Sequence, residues 1–294
     1  MKILVTGRNG QLGSTLVELL AKESRFEVVP TDRADLDITR RDQALAAARF
    51  SRPDWIVSCA AYTDVERAET EPERAFLVND VAVGHLADAA QTVGARLLHV
   101  STDYVFSGEP PPGAALGTPR RPYTEDDVPS PINQYGASKR AGEIRLQAHP
   151  VHSVVLRTSW LHGGPGKSFA RTMLRVGVEA MKTGRPVKVV EDQIGTPTDV
   201  RSLAAQIRAI LGTELRGIFH ASCQGETSWF GFAREIFRVE GLNVPLVPIR
   251  TCDYPTKAKR PAYSVLENRR LAQAGLDLMP HWRVGLEKAL ATGG

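Results

Sequence analysis

The stretch KILVTGRNGQLG, residues 2–13, decides the fold of this chain. It begins with strand-forming residues, continues through three glycines, and leads into leucines at helical spacing. Gly7 would allow a tight turn, Gly10 would let the backbone approach a pyrophosphate, and Gly13 would let the helix pack close to the strand. Glycines alone also occur in ordinary tight turns, but their position between a strand and a helix favours a dinucleotide-binding turn.

The alternation of strand and helix continues along the chain. Apolar, β-rich segments are separated by helical patterns, of which the longest covers residues 72–93. Because strands without polar alternation are typical of sheets covered on both faces, the pattern predicts an α/β fold with a doubly wound parallel (Rossmann) sheet. The further strands predicted for this sheet are residues 26–32, 54–61, 95–102 and 153–160.

The pattern predicts two structural units. We expect residues 1–160, with about 187–212, to form the dinucleotide-binding domain, and residues 161–186 and 213–294 to form a smaller C-terminal substrate-binding lobe. Residues 108–133 are rich in proline and glycine and longer than a normal connection. We expect this segment to be a functional loop that closes over the substrate.

Composition and charge argue against several classes of protein. The 294-residue chain has a formal net charge of +4 with no long basic run, which argues against a nucleic-acid-binding protein. No stretch approaches the ~20 apolar residues of a membrane span. The three cysteines, Cys59, Cys223 and Cys252, have no CxxC spacing and predict a reducing compartment. We therefore expect a cytoplasmic protein that binds neither nucleic acid nor membrane, as a monomer or a homodimer.

The end of the second predicted strand bears on the choice of cofactor. Asp32 lies where an acidic side chain would bind a ribose 2′-hydroxyl and favour NAD. Arg33 and Arg8 are guanidinium groups that could instead meet the 2′-phosphate of NADP. Asp37 and Ile38 would flank an adenine or simply begin the next turn. The choice between NADPH and NADH stays open, with NADPH slightly favoured.

A hydroxyl at a strand end and a Tyr-x-x-x-Lys pair indicate proton transfer. Tyr135 and Lys139 are four residues apart on a predicted helix, and Thr102 ends the fourth predicted strand. An ammonium beside a phenol would lower its pKa from about 10, which would let Tyr135 act as a general acid or base. The alternative is an ordinary exposed pair, which the upstream threonine and glycine turn disfavour. Ser138 and Arg140 are expected on the helix surface.

These features together resemble the extended form of the short-chain dehydrogenase/reductase superfamily. Longer segments, including CAAYTDVERAE, HVSTDYVFSGE, QYGASKRAGE, LRTSWLHG and VVEDQIGTPT, are similar to the dTDP-4-dehydrorhamnose reductases within it. The resemblance runs over nearly the whole chain. It implies NAD(P)H-dependent reduction of the C4 keto group of dTDP-4-dehydro-L-rhamnose, and therefore a dTDP-sugar as substrate.

The resemblance also implies a role for individual residues. Tyr135 would protonate the C4 oxygen, Lys139 would hold the nicotinamide ribose, and Thr102 would bind the C4 oxygen. The further residues that it places on the cofactor are Gly10, Gln11, Leu12, Asp37, Ile38, Ala61, Tyr62 and Thr63. Those that it places on the substrate are Asp103, Trp160, Gln193 and Arg260. Trp160 could instead be a core tryptophan, and Arg260 an exposed surface arginine.

The sequence departs at two positions from residues found in some of the proteins that it resembles. Thr15 occupies the region where some family members have a glutamate for Mg²⁺, so no metal ligands are predicted and a Mg²⁺ requirement is doubtful. Tyr104 follows Asp103 where the dehydratases of the superfamily carry a glutamate, which disfavours dehydration. The alternatives are another nucleotide-sugar reductase or epimerase, or a non-catalytic regulatory subunit of methionine adenosyltransferase.

Overall fold

A computed structural model describes residues 1–109 and 120–291 of the chain. Strands and helices alternate through its first two thirds. The strands are β1 (Lys2–Thr6), β2 (Glu27–Thr31), β3 (Trp55–Ser58), β4 (Arg96–Thr102), β5 (Ser153–Thr158), β6 (Leu161–His162), β7 (Val187–Val190), β8 (Ile194–Gly195), β9 (Thr198–Asp199), β10 (Gly217–His220), β11 (Thr227–Ser228) and β12 (Leu246–Ile249). The α-helices are α1 (Gln11–Ala21), α2 (Arg41–Ser51), α3 (Val65–Ala68), α4 (Pro72–Phe76), α5 (Ala82–Val93), α6 (Gln134–Ala148), α7 (Phe169–Thr183), α8 (Val200–Ile210), α9 (Trp229–Val239), α10 (Arg269–Gln273) and α11 (Trp282–Ala291).

The main sheet has six strands in the order β2-β1-β3-β4-β5-β10, and every neighbouring pair is parallel. The predicted doubly wound parallel sheet is therefore confirmed. The chain leaves β1 towards β2 on one side and then returns to build β3 on the other side. This reversal is the topological switch point, and ligands of such sheets bind beyond the carboxyl ends of the strands at that point.

Both faces of the sheet are covered by apolar helices. Ile3 and Val5 of β1 belong to the core under α1 and α8, whereas Leu4 between them faces the core under α2 and α5. Side chains alternate between the faces of a strand, so this run of three buried apolar residues serves two cores. Complete burial of each such side chain contributes roughly 1.5–3 kcal/mol.

The predicted long helix at 72–93 is interrupted by a π-helical segment. Leu77–Val81 forms this wider turn between α4 and α5. Asn79 lies in it, and its side-chain amide bonds both the N–H and the carbonyl of Tyr62, each at 2.9 Å. π-Helical turns occur often at functional sites, and this one fixes the backbone that follows β3.

Two strands pair differently from the expected division into units. β10 pairs in parallel with β5, so Gly217–His220 belong to the main sheet and not to the lobe. β7 pairs with β12 in a separate two-stranded sheet, so Val187–Val190 do not extend the main sheet. Strand partners are set by tertiary contacts, which a local pattern of apolar residues does not contain.

The predicted closing loop, residues 108–133, is described only in part, because residues 110–119 lie outside the described residues. Its second half is attached to the rest of the fold. The backbone N–H of Tyr123 donates to the carbonyl of Val265 at 2.8 Å, and its ring stacks on Phe106 with centroids 4.2 Å apart. Among the helices of residues 1–109 and 120–291, none combines the length and the apolar character that a membrane crossing requires.

Candidate functional site

A cleft of about 1010 Å³ opens at the carboxyl edge of the main sheet, at the switch point. Its walls come from the segments that follow β1, β2, β3, β4 and β5, together with one side of α6. The glycine turn and Tyr135 therefore share one cavity, although more than 120 residues separate them in the chain. The parallel arrangement of the strands produces this convergence.

Two glycines of the turn, Gly7 and Gly13, are packed too closely to be replaced by a larger residue. Gly7 has φ +74°, and a Cβ on it would lie 2.8 Å from the backbone nitrogen of Ala60. A Cβ on Gly13 would lie 2.1 Å from the carbonyl oxygen of Gly7. Helix α1 begins at Gln11, and no side chain of the described residues caps its N-terminus. The free N–H groups and the bare backbone fit a pyrophosphate.

The end of β2 supplies charges of both signs. Asp32 accepts hydrogen bonds from Arg8, Asn9 and the N–H of Ala34, and the last of these contributes most to lowering its pKa. Asp32 lines the cleft and so does Arg33, whose side chain is 78% exposed and only 3.9 Å from Asp37. Arg8 is held by Asp32, so Arg33 is the more available of the two predicted guanidinium groups.

The segment after β3 forms the next part of the wall. Ala61, Tyr62 and Thr63 line the cleft, as Asp37 and Ile38 do from the end of β2. The hydroxyl of Tyr62 donates to Glu71 at 3.2 Å, so this ring is fixed at both ends. Apart from Arg8, the residues predicted around the cofactor therefore line this one cleft.

Tyr135, Lys139 and Thr102 line the same cleft, but their electrostatics differ from the prediction. Burial raises the pKa of Tyr135 to about 12, an effect that the Thr102 hydroxyl partly offsets. The prediction that Lys139 lowers this pKa is wrong for the protein chain by itself. The amine of Lys139 turns towards β4 instead, where it donates to the carbonyl of Val100 at 2.6 Å and contacts Nε2 of His99 at 3.0 Å.

Lys139 is itself perturbed by burial. Its side chain is almost completely enclosed, and this burial lowers its pKa to about 8. The charge of Glu143 acts in the opposite direction. The pair thus combines a phenol that retains its proton with an amine that titrates close to neutral pH.

The prediction of a plain surface beside Tyr135 is wrong for Ser138. Its side chain is fully buried, accepts a hydrogen bond from Asn79 at 3.0 Å and donates to the carbonyl of Tyr135 at 2.8 Å. Arg140 is also partly buried and pairs with buried Glu143 at 3.0 Å. Helix α6 packs against the π-helical turn and β4, and this contact encloses residues that the sequence left exposed.

Asp103 has the surroundings of a neutral carboxyl group. Burial raises its pKa to about 7. One of its oxygens accepts from Thr102 at 3.1 Å, and the other has no hydrogen-bond partner among the described residues. The neighbouring Tyr104 packs edge-on against Tyr135, with ring centroids 5.9 Å apart. This second oxygen is itself enclosed, and the enclosure of the carboxyl is the main cause of its raised pKa.

Trp160 reaches the cleft from the end of β5. It has φ +44°, an uncommon conformation for a bulky residue and one that occurs mainly at functional sites. Its ring stacks on Trp229 with centroids 3.5 Å apart and planes 5° apart. Trp229 also lines the cleft, a contribution that sequence reasoning missed because a lone aromatic residue at a helix start has no distinctive spacing.

Two predicted substrate residues lie behind the cleft wall. Gln193 accepts from the indole N–H of Trp229 at 3.2 Å, so it contacts the wall and not the cavity. Arg260 is ion-paired with Glu66 at 2.8 Å and likewise does not line the cleft. Sequence reasoning also missed Lys167, an exposed lysine in a glycine-rich turn that lines the cleft and whose carbonyl accepts from Gln11.

Acidic and metal-ligating side chains are dispersed. Within residues 1–109 and 120–291, no three or more His, Cys, Asp or Glu side chains are grouped so that they could hold a metal ion. Thr15, at the position discussed for Mg²⁺, donates its hydroxyl to the carbonyl of Gln11 within α1.

The match to known proteins extends over almost the whole chain. The family model described as the RmlD substrate binding domain matches residues 1–293. The chain belongs to this family. It is 36% identical to the spore coat polysaccharide biosynthesis protein SpsK of Bacillus subtilis, over 98% of this chain and 96% of that protein. It is 40% identical to a dTDP-4-dehydrorhamnose reductase of Burkholderia thailandensis, over 97% of both.

A solved structure of the family has the same fold. The crystal structure of dTDP-4-dehydrorhamnose reductase from Bacillus anthracis in complex with NADP superposes with a TM-score of 0.91. The two sequences are 39% identical, and the alignment covers 99% of each chain. The resemblance drawn from the segments after β3, β4 and β5 is therefore confirmed as kinship over the full length.

Proposed function

We propose that this protein reduces the C4 keto group of dTDP-4-dehydro-L-rhamnose with NAD(P)H and forms dTDP-L-rhamnose. Membership of the family and the names of its relatives support the reaction. The single observation that carries the proposal is that Tyr135, Thr102 and Lys139 line the same cleft as the glycine turn. A proton donor is thereby within one cavity of a surface suited to a dinucleotide.

The chain's own residues would hold the cofactor by its phosphates and ribose. The glycine turn and the N-terminus of α1 would bind the pyrophosphate, and Asp32 or Arg33 would bind the adenosine ribose or its phosphate. When bound, the reduced nicotinamide supplies the hydride that adds to C4. Lys139 would bind the second ribose, because it lines the cleft on the side of the catalytic tyrosine.

Tyr135 would complete the reduction as a general acid. Addition of hydride turns the C4 oxygen into an alkoxide, and the phenol transfers its proton to this oxygen to give the hydroxyl. A pKa of about 12 suits this role, because the phenol is fully protonated at neutral pH and still more acidic than an alkoxide.

The sugar would be oriented by groups around the proton donor. Thr102 would bind the C4 oxygen, and Asp103, which lines the same cleft, would bind a neighbouring hydroxyl. The face of Trp160 would pack against the apolar side of the sugar ring. We further propose that Gln193 and Arg260 act from behind this wall, by supporting Trp229 and the 256–260 segment. The substrate lobe would comprise the small sheets and helices outside the six-stranded sheet.

A substrate screen tests this function. Purified protein is mixed with dTDP-4-dehydro-L-rhamnose made in situ, and oxidation of NADPH or NADH is followed by absorbance. GDP- and UDP-linked keto sugars are tested in parallel as alternative substrates. We expect turnover only with the dTDP-linked keto sugar and the product dTDP-L-rhamnose. Preference for another nucleotide would favour a related reductase, and binding of a methionine adenosyltransferase without any turnover would favour a regulatory subunit. Light scattering on the same preparation distinguishes a monomer from a homodimer.

A further inference from the structure

His99 connects two strands of the sheet to the helix that carries the Tyr135–Lys139 pair. It lies in β4 with 1% of its surface exposed. Its Nε2 is 3.0 Å from Nζ of Lys139, and its Nδ1 is 3.2 Å from Oγ of Ser58 in β3. Both ring nitrogens are thus engaged, one with a proposed catalytic group and one with the neighbouring strand.

The chemistry of the pair fixes the direction of these hydrogen bonds. A lysine ammonium has three N–H donors and no acceptor, so Nε2 of His99 must accept from it. The imidazole must then be neutral and carry its proton on Nδ1, which donates to Ser58. Burial and the charge of Lys139 both lower the pKa of His99 well below its ordinary value, in agreement with a neutral ring.

Among the residues that the structure describes, these contacts leave the ammonium with one N–H donor. One N–H is directed to the carbonyl of Val100 and one to His99, both in β4. Lys139 lines the cleft, so the third N–H is available on that side. We propose that His99 is a positioning residue that accepts a hydrogen bond from the Lys139 ammonium, keeps it charged and directs its remaining N–H into the cleft. The catalytic consequence rests on the proposed function.

The groups that face Lys139 make its charge sensitive to this contact. Cys59 faces it from the end of β3, His99 from β4, and Glu143 from α6. The Glu143 carboxylate already accepts hydrogen bonds from Arg157 and Ser101, so it cannot replace His99 as an acceptor for the Lys139 ammonium. Removal of the imidazole would leave a buried ammonium with one acceptor fewer, and this would favour the neutral amine.

Direct titration of Lys139 tests the proposal without substrate or cofactor. The protein is labelled with 13C-lysine, the Lys139 signal is assigned by its loss in Lys139→Met, and its pKa is measured by NMR. We expect His99→Leu to lower this pKa by about one unit or more, since charged hydrogen bonds are stronger than neutral ones. In His99→Gln, whose longer side chain retains an acceptor, the Lys139 pKa should return most of the way to its wild-type value. His152→Leu, a histidine that bonds Leu215 outside the cleft, should leave it unchanged.

A second variant covers the case in which His99→Leu does not fold. Ser58→Ala retains the ring but removes the partner of its Nδ1, so the tautomer that accepts from Lys139 loses its support. A smaller shift in the same direction is expected. An unchanged Lys139 pKa in His99→Leu, or in Ser58→Ala if His99→Leu does not fold, would overturn the proposal, and so would a His99→Gln protein that titrates like His99→Leu.

The kinetic consequence is measured separately. With keto sugar and NADPH, the alkaline limb of the kcat profile should move to lower pH in His99→Leu, in the same direction as the NMR pKa. A wild-type protein with no keto-sugar turnover but with the expected NMR shifts would refute the proposed function and leave the role of His99 intact. Normal turnover with an unshifted profile in His99→Leu would refute the role of His99 alone.

Discussion

Replacing Gly13 with alanine should disrupt the dinucleotide site while leaving most of the fold intact. The added Cβ would lie 2.1 Å from the carbonyl oxygen of Gly7 and 2.7 Å from its carbonyl carbon. The first distance is more than 1 Å short of the 3.4 Å at which ordinary contact begins. Both atoms are backbone, so the start of α1 must move away from the turn. Overpacking of this kind costs about 1–3 kcal/mol.

The expected result is weaker cofactor binding. If the displaced helix has to be returned to its place for the cofactor to bind, this cost raises the Kd for NADPH by about 5- to 150-fold. Calorimetric titration measures the Kd, and circular dichroism with thermal melting checks the fold. Gly212→Ala is the matched control, because its Cβ would meet nothing closer than Ala209 at 3.8 Å. A Gly13→Ala protein that binds NADPH as tightly as Gly212→Ala would refute the assignment of this turn.

Two further predictions concern buried charges. Arg157→Met should lower the free energy of unfolding by about 3–5 kcal/mol in urea titrations, because Glu143 would lose its buried partner. A Glu143→Leu/Arg157→Met double variant should regain most of the lost stability. Equal stability of the single and double variants would contradict this prediction. Asp103 has a pKa of about 7 in the folded chain against 3.8 for the free side chain, so its neutral form stabilises the fold at low pH and this contribution is lost as pH rises towards 7. The free energy of unfolding of Asp103→Asn should therefore equal that of the wild type near pH 4. Near pH 8 it should exceed the wild-type value by a few kcal/mol, about 1.4 kcal/mol for each unit by which the pKa is raised. Equal urea midpoints of the two proteins at both pH values would refute this prediction.

The sheet and much of the cleft follow from sequence because their signals are local. Three apolar residues in a row, Ile3, Leu4 and Val5, predict a strand covered on both faces. Parallel strands bring their carboxyl ends to one edge of the sheet. The order of elements alone therefore places Gly7, Thr102 and the helix that follows β4 at that edge. That expectation needs the order of elements and not their three-dimensional coordinates.

The contacts that tune the cleft were not predictable in the same way. His99 meets Lys139 from 40 residues away, and Trp229 stacks on Trp160 across a longer separation. The π-helical turn at Asn79 lies inside a helix whose pattern looks continuous. Each depends on how one element packs on another, and such packing leaves no period in the sequence. The expected effect of Lys139 on Tyr135 was wrong for this reason: helical spacing put the two on one face, but burial and the carbonyl of Val100 determined where the amine points.

The rate of the Tyr135→Phe protein tests the central claim most directly. Steady-state oxidation of NADPH with dTDP-4-dehydro-L-rhamnose is compared with that of the wild type and of Tyr254→Phe, whose phenol is 57% exposed and outside the cleft. General acid catalysis contributes about 10²–10⁴-fold, so Tyr135→Phe should lose at least about 100-fold in kcat while it binds NADPH normally and Tyr254→Phe keeps the full rate. A Tyr135→Phe protein that reduces the keto sugar at the wild-type rate would contradict the account.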